Sequence, residues 1–113
     1  MARGRNNWKV PNIYVETSLG EHDVFAVFDG LERQLVIRSL LARPTATLSE
    51  LAVLTGGSQA TVTKHVAILE DLGIVTLDIP KGARRGRTVN ASLNRSAYDF
   101  ALQVWLREMG AGV

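Results

Sequence analysis

A short basic segment near the C-terminal end of the chain carries the clearest chemical signal in the sequence. Residues 81–87 read Lys-Gly-Ala-Arg-Arg-Gly-Arg, and every charged side chain between residues 81 and 95 is basic, whereas those between residues 10 and 32 are all acidic. Such a cluster of cations predicts contact with a polyanion; the alternative is that the charges only keep an exposed loop in solution. The candidate residues are Lys81, Arg84, Arg85 and Arg87.

The N-terminal segment repeats part of this pattern, with Arg3 and Arg5 on either side of a glycine. Arginines beside glycine suit a narrow DNA minor groove, where the potential is most negative and the backbone must approach closely. We expect residues 1–18 to form a basic arm with a short strand at residues 13–16.

A second group of candidates follows the glycine pair at residues 56 and 57. Ser58 is a suitable N-cap, and apolar residues then recur at helical spacing up to Gly73, which stands where a left-handed C-terminal cap would sit. The polar face of this helix suits base edges, because glutamine can pair with adenine, lysine with guanine, and threonine or alanine can contact a thymine methyl. By themselves these residues would be only a solvated helix face. The candidates are Ser58, Gln59, Ala60, Thr61, Thr63 and Lys64.

Composition and motifs argue against several other classes of function. The chain of 113 residues has no cysteine, which removes disulfides, thiolate metal sites and cysteine nucleophiles. It has no P-loop, nucleophile elbow or His-Glu-x-x-His motif, so we expect neither an enzyme nor a bound cofactor or metal. No apolar run approaches the roughly 18 residues of a membrane helix, and no signal peptide is evident, which predicts a cytoplasmic protein without a membrane partner.

Helix signals surround the glycine pair on both sides. A first helix is predicted over residues 20–28, and a second begins after Asp29, which with Glu32 has the spacing of a capping box, and ends before Pro44. The segment Thr47-Leu48-Ser49-Glu50 is a further capping box and opens a short helix that ends at Gly56.

Beyond Gly73 the apolar period changes from the helical value to 2. We predict a β-hairpin whose tip spans residues 80–86, followed by a last helix over residues 95–109, capped by Asn94. This helix has a wider apolar surface than one core contact needs, which predicts a dimer interface. The interface candidates are Tyr98, Leu102, Trp105 and Met109.

Two short helices joined by a glycine turn, with a basic hairpin after the second, are typical of one architecture. The predicted fold is α+β, mostly α: a winged helix-turn-helix with a two-stranded β-wing and a C-terminal dimerisation helix, over residues 19–113. The segment from about Leu31 to Leu93 resembles the ArsR-type winged-helix transcriptional regulators, with MarR-like regulators next. Its most specific part, Ser58-Gln-Ala-Thr-Val-Thr-Lys-His-Val-Ala-Ile-Leu-Glu-Asp-Leu-Gly-Ile-Val, is similar to that family's recognition helix and the entry to its wing.

The resemblance implies a sequence-specific regulator, a repressor, that binds a pseudo-palindromic site in double-stranded DNA as a homodimer. It also implies packing and phosphate contact for His65, because the family commonly has a histidine there. Metal sensing is not carried over, since Ala52 and Leu54 stand where thiolates would lie and the last helix has no histidine; the small-molecule effector stays unknown. Two alternatives remain open: a DNA-coating or partition-type protein of low specificity, and a winged helix that serves as a protein-interaction module.

Overall fold

The computed structural model describes residues 21–110, so the predicted arm, with its strand at residues 13–16, lies outside the described residues. Five helices and three short strands follow one another along the chain. Their bounds are α1 Glu21–Val27, α2 Leu31–Ala42, β1 Ala46–Thr47, α3 Leu48–Thr55, α4 Gln59–Asp71, β2 Val75–Leu77, β3 Asn90–Leu93 and α5 Arg95–Glu108. The predicted winged helix-turn-helix is confirmed. None of the helices described is long and apolar enough to cross a membrane.

The helix-turn-helix unit, α3 and α4, is set by its end residues as the sequence predicts. The Thr47 hydroxyl accepts from the Glu50 N–H at 3.0 Å and the Glu50 carboxylate accepts from the Thr47 N–H at 2.8 Å, so the capping box forms. Gly56 ends α3 with φ 77°, a left-handed conformation that costs glycine little, and its N–H donates to the carbonyls of the last turn. Ser58 then caps α4 by accepting from the Thr61 N–H.

The predicted start of α2 is wrong in detail. The N-cap is Gly30, at φ 85°, and it makes no side-chain cap hydrogen bond. Asp29 therefore does not cap the helix, and Glu32 does not complete a capping box. Instead, the Glu32 carboxylate lies 3.6 Å from the His65 imidazole on α4. The Glu32 side chain, which the local pattern assigned to the helix cap, thus makes a tertiary contact with α4 instead.

The sheet has the order β1-β3-β2 with antiparallel pairing, so it contains one strand that the sequence prediction missed. Ala46 pairs with Ala91 and Thr47 with Asn90. Strands β2 and β3, with the loop between them at residues 78–89, form the predicted hairpin, here called the wing. At its base Ile79 and Val89 are both buried, so the hairpin is anchored in the domain before it reaches its tip.

The core lies where these elements converge. Val62, Val66 and Leu69 of α4 are buried, as their helical spacing predicts, and they meet Leu51 of α3 in one apolar cluster. A second contact joins α1 to α5, where Ala97, Ala101 and Val104 are the buried residues of α5. The buried face of α4 therefore fixes which of its residues are left for a ligand.

Candidate nucleic-acid interface

The outer face of α4 presents the polar residues that the sequence predicts. Gln59, Ala60, Thr63 and Lys64 are exposed, and Thr61 is half-buried because it takes part in the N-terminal cap. A helix whose apolar side is anchored in the core and whose N-terminal polar side is open has the geometry of a recognition helix in the major groove. The structure brings these candidates together on one surface.

Two of these side chains are held in place by α3 and by the helix cap. The Ser49 hydroxyl, which comes from α3, donates to the Gln59 amide oxygen at 3.1 Å. The Ser58 hydroxyl lies 2.9 Å from the Thr61 hydroxyl. The first turn of α4 is thus fixed before any ligand arrives, and less side-chain entropy is lost on binding.

His65 contacts the protein. Its Nδ1 accepts a hydrogen bond from Arg33 Nε at 3.1 Å, and its Nε2 lies 3.6 Å from the Glu32 carboxylate. Arg33 also donates to the carbonyl of Ala26 in α1, at 2.6 Å. The histidine ring therefore joins α4 to α2 and, through Arg33, to α1. This geometry agrees with the packing role that the resemblance implies, and phosphate contact stays a prediction.

The wing cations divide into two kinds. Arg84 donates to Glu70 of α4 at 2.6 and 3.2 Å and to the Ile79 carbonyl at 2.6 Å. Lys81 donates to Asp71 at 2.6 Å. By contrast, the exposed guanidinium groups of Arg85 and Arg87 make no hydrogen bond or salt bridge to any residue that the structure describes.

The electrostatics follow this division. The salt bridge to Asp71 raises the pKa of Lys81, so the ammonium is held charged beside its partner. At the base of the wing the backbone N–H of Asn90, and then its side-chain amide, lower the pKa of Asp78. The charge of Arg87 also acts on Asp78, as a smaller cause of its lowered pKa, so Arg85 is the wing arginine for which the described residues show neither a hydrogen bond nor a charge partner.

Sequence reasoning missed the two carboxylates that hold the wing. Glu70 and Asp71 end α4, ten residues or more before the cations they bind. Their only signal in the sequence is an acidic pair at the end of a helix that precedes a basic loop. The pair was visible, but nothing local indicated that the chain would fold back on it.

The predicted dimer residues lie along one side of α5. Tyr98, Leu102 and Trp105 are half-buried, and Met109 is 59% exposed. Phe28, which follows α1, packs against the Tyr98 and Trp105 rings at centroid distances of 6.4 and 5.3 Å. Part of the apolar surplus of α5 is therefore covered within the chain. Arg3 and Arg5 lie outside the described residues.

A metal site has no support in the part of the chain that the structure describes. No group of three or more histidine, aspartate or glutamate side chains comes together between residues 21 and 110 in a way that could hold an ion.

Residues 32–76 match the model of a family described as bacterial regulatory proteins of the arsR family. The matched segment contains all of α3 and α4 and ends in β2, so it includes the helix-turn-helix unit and leaves out the tip of the wing and α5. No match was found among curated proteins.

Solved structures of transcriptional regulators are similar to this chain in fold. An ArsR family transcriptional regulator is 26% identical, has a TM-score of 0.60, and its match covers 80% of this chain and 86% of that one. The AntR antimony-specific transcriptional repressor is 16% identical, with a TM-score of 0.59 and coverage of 99% and 94%. NadR in complex with 4-hydroxyphenylacetate is 16% identical, with a TM-score of 0.53 and coverage of 88% and 69%. The last two show the fold alone. The predicted ArsR resemblance is confirmed.

Proposed function

We propose that this ArsR-like DNA-binding transcriptional regulator recognises a pseudo-palindromic operator as a homodimer and represses transcription there. The observation that carries the proposal is the joint presentation of an open polar face on α4 and of exposed arginines on the wing. Gln59, Thr63 and Lys64 would read base edges in the major groove, while Arg85 and Arg87 would contact the minor groove or the phosphates beside it.

Dimer formation would use the apolar side of α5. Met109 and Leu106 expose large apolar side chains near the end of this helix, and a second copy would remove them from water. Two recognition helices related by a twofold axis would then reach half-sites about one helical turn, roughly 34 Å, apart. An operator bound by such a dimer would therefore be an inverted repeat.

Repression of transcription is the expected consequence of operator binding. It is supported by the fold that the chain shares with a protein described as a transcriptional repressor. A bound dimer would act by occupying the promoter, which needs no catalytic group, and such a protein works in the cytoplasm, where its DNA is. The basic arm at residues 1–18 would add a contact through Arg3 and Arg5.

The experiment that tests the proposal is a selection of bound duplexes from a random pool at physiological salt, followed by sequencing. Enrichment of an inverted repeat with half-sites about one turn apart is the expected result. Recovery of DNA without any motif would replace operator recognition by DNA coating. Recovery of no DNA would contradict the proposal and favour a protein-interaction module.

A second round separates the reading residues from the wing. Gln59→Ala and Lys64→Ala should change the enriched sequence, because each removes a side chain that contacts base edges. The matched control is Lys81→Ala, which also removes an exposed cation but one already bound to Asp71. If Lys64→Ala and Lys81→Ala select the same motif as the unmodified protein, α4 does not read the sequence as proposed.

A further inference from the structure

The His65 ring on α4 meets a charged side chain of α2 at each of its two nitrogens. Arg33 Nε donates to the ring Nδ1 at 3.1 Å, and the same guanidinium donates to the Ala26 carbonyl of α1 at 2.6 Å. On the other side of the ring, Nε2 lies 3.6 Å from the Glu32 carboxylate. The His65 side chain is only 16% exposed, so its position is set by the helices around it.

The hydrogen bond from Arg33 is compatible with only one charge state of the ring. An imidazole nitrogen that accepts a hydrogen bond carries no proton, so the neutral ring has its proton on Nε2, on the side of Glu32. A proton on Nδ1 would set two donors and two positive charges against each other, with no acceptor between them. Because arginine keeps its proton, the bond from Arg33 must break when the ring becomes charged.

Glu32 is the partner that suits the charged ring. An imidazolium beside a carboxylate at 3.6 Å forms an ion pair, and the Glu32 side chain is 52% exposed and can move closer. Two consecutive residues of α2 therefore stabilise opposite charge states of one histidine. Arg33 favours the neutral ring, and Glu32 favours the protonated ring.

The other charged groups near α4 leave this arrangement undisturbed. The elements packed against α4 are α2, α3 and β2, and β2 has no charged residue. Among the residues that the structure describes, only Arg33 and Glu32 bring a charge into contact with the His65 ring. The remaining charged residues of α2, α3 and α4 are exposed or paired with other side chains: Arg38, Glu50, Lys64, Glu70 and Asp71.

We propose that His65 is a pH-dependent switch, in which the ring exchanges Arg33 for Glu32 as its partner when it takes up a proton. Histidine is the side chain that ordinarily changes charge between about pH 5 and 8. In the neutral state Arg33 connects α4 to the Ala26 carbonyl of α1. In the protonated state that connection is lost, and the ring is held to α2 by Glu32 alone.

The exchange acts on operator binding, and this step rests on the proposed function. Proton uptake raises the total charge of His65, Arg33 and Glu32 by one unit, next to the exposed Lys64 on α4. A positive charge added to this helix attracts the phosphates of DNA, so proton uptake and DNA binding strengthen each other. The operator is therefore bound more tightly as the pH falls.

The exchange is tested without DNA, by nitrogen-15 NMR of the full chain from pH 8 to pH 5. At pH 8 we expect a ring proton on Nε2 alone, and the Arg33 Nε–H signal should move as Nδ1 takes up a proton. The matched control is the Nε–H of Arg43, which lies just after α2, pairs with Glu50 and should not follow this titration. His65→Asn keeps an acceptor near the position of Nδ1 but takes up no proton, so its Arg33 signal should stay constant.

Three results from the unmodified protein would overturn the proposal: a proton on Nδ1 at pH 8, a ring that stays neutral down to pH 5, or an Arg33 signal that stays constant while the ring titrates. A fourth is an equal movement of the Arg33 signal in His65→Asn. These measurements use the free protein, so they stand even where the proposed function fails.

The regulatory step is tested by operator affinity at pH 8 and pH 6. We expect binding about fivefold tighter at pH 6, which is the usual lower range of coupling between two sites. His65→Asn should lose this dependence, whereas His22→Asn, which removes the one other histidine in the sequence, should keep it. Equal dependence in His65→Asn and the unmodified protein would refute the regulatory step but not operator recognition. Absence of operator binding at both pH values would refute the proposed function and leave the NMR result unaffected.

Discussion

Arg84 of the wing is joined to Glu70 at the end of α4 by two hydrogen bonds, of 2.6 and 3.2 Å. Both side chains are less than a quarter exposed, and Arg84 also donates to the Ile79 carbonyl, so its donors are turned toward the protein. The wing is therefore held against α4 by a side chain that its sequence context predicts to be a DNA contact. Arg84 acts first as a positioning residue.

Loss of this ion pair should lower the stability of the domain. Glu70→Gln leaves a half-buried guanidinium without its counter-charge. We expect the free energy of unfolding, measured in urea, to fall by about 1 to 2 kcal/mol, which lies between the usual losses for exposed and for buried ion pairs. The matched control is Asp71→Asn, which breaks the exposed pair with Lys81 and should have a much smaller effect. Equal stability of Glu70→Gln and the unmodified protein would show that the pair contributes nothing net.

Salt dependence should distinguish the positioning arginine, Arg84, from the two arginines proposed to contact DNA. Arg85→Gln and Arg87→Gln should each reduce the slope of log affinity against log salt by about 1, because each phosphate contact releases roughly 0.9 of a counterion. Arg84→Gln should weaken binding without changing the slope, since its charge is already neutralised by Glu70. Equal slopes for all three variants would contradict this division of the wing.

The cap of α3 should contribute measurably to stability, because Thr47 serves two elements. Its hydroxyl caps the helix, and its backbone pairs with Asn90 in β3. Thr47→Ala should cost about 1 kcal/mol in thermal or urea unfolding. Thr47→Ser keeps the hydroxyl and should lose far less. If serine and alanine are equally destabilising, the methyl group and not the cap hydrogen bond is what matters at this position.

The two capping-box patterns show what local sequence can and cannot determine. Thr47 and Glu50 form the predicted box because no other group in the described structure binds the Thr47 hydroxyl. The exposed Glu50 side chain reaches the Thr47 N–H by folding back over the first turn of the helix. Asp29 and Glu32 have the same spacing, but Gly30 takes the cap position and Glu32 faces His65, 33 residues further on. The spacing is local information, whereas the competing partner is known only once α2 packs on α4.

In the wing, too, a local pattern predicts the candidate residues but not their tertiary partners. Its basic composition predicts a ligand-binding loop, and Arg85 and Arg87 are exposed there, while their contact with DNA stays a prediction. That Arg84 belongs to a different group depends on Glu70, which lies 14 residues earlier and is brought near by the turn at Gly73. Strand β1 escaped prediction because two residues are too short to show an alternating pattern.

Acid should weaken the base of the wing. Hydrogen bonds from the Asn90 backbone and amide lower the pKa of Asp78. A lowered pKa in the folded protein means that the carboxylate stabilises the fold above its ordinary pKa, about 3.9, and that this contribution is lost as the pH falls through the lowered value. Asp78→Asn should therefore be less stable than the unmodified protein at pH 6, and the difference should shrink below about pH 4.

The measurement is urea unfolding of both proteins from pH 6 to pH 2.5. Contributions from other carboxylates, including Glu50, whose pKa is lowered by the Thr47 N–H, are common to both proteins and cancel in the difference. Asp29→Asn, which removes an exposed carboxylate outside the wing, is the matched control. A difference that stays constant over the whole range would show that ionisation of Asp78 is not what stabilises the wing.

Self-association should depend on the end of α5. Met109 is 59% exposed, and a carboxylate placed there would have to be buried without a partner if a second copy covered this side. Met109→Glu should therefore shift the dimer to monomer in sedimentation at micromolar concentration and weaken operator binding, because one recognition helix alone contacts only one half-site. Gln103→Glu adds the same charge at an exposed polar position of α5 and should leave the dimer intact. Dissociation by both variants would indicate a general charge effect, and dissociation by Gln103→Glu alone would place the interface on the opposite side of the helix.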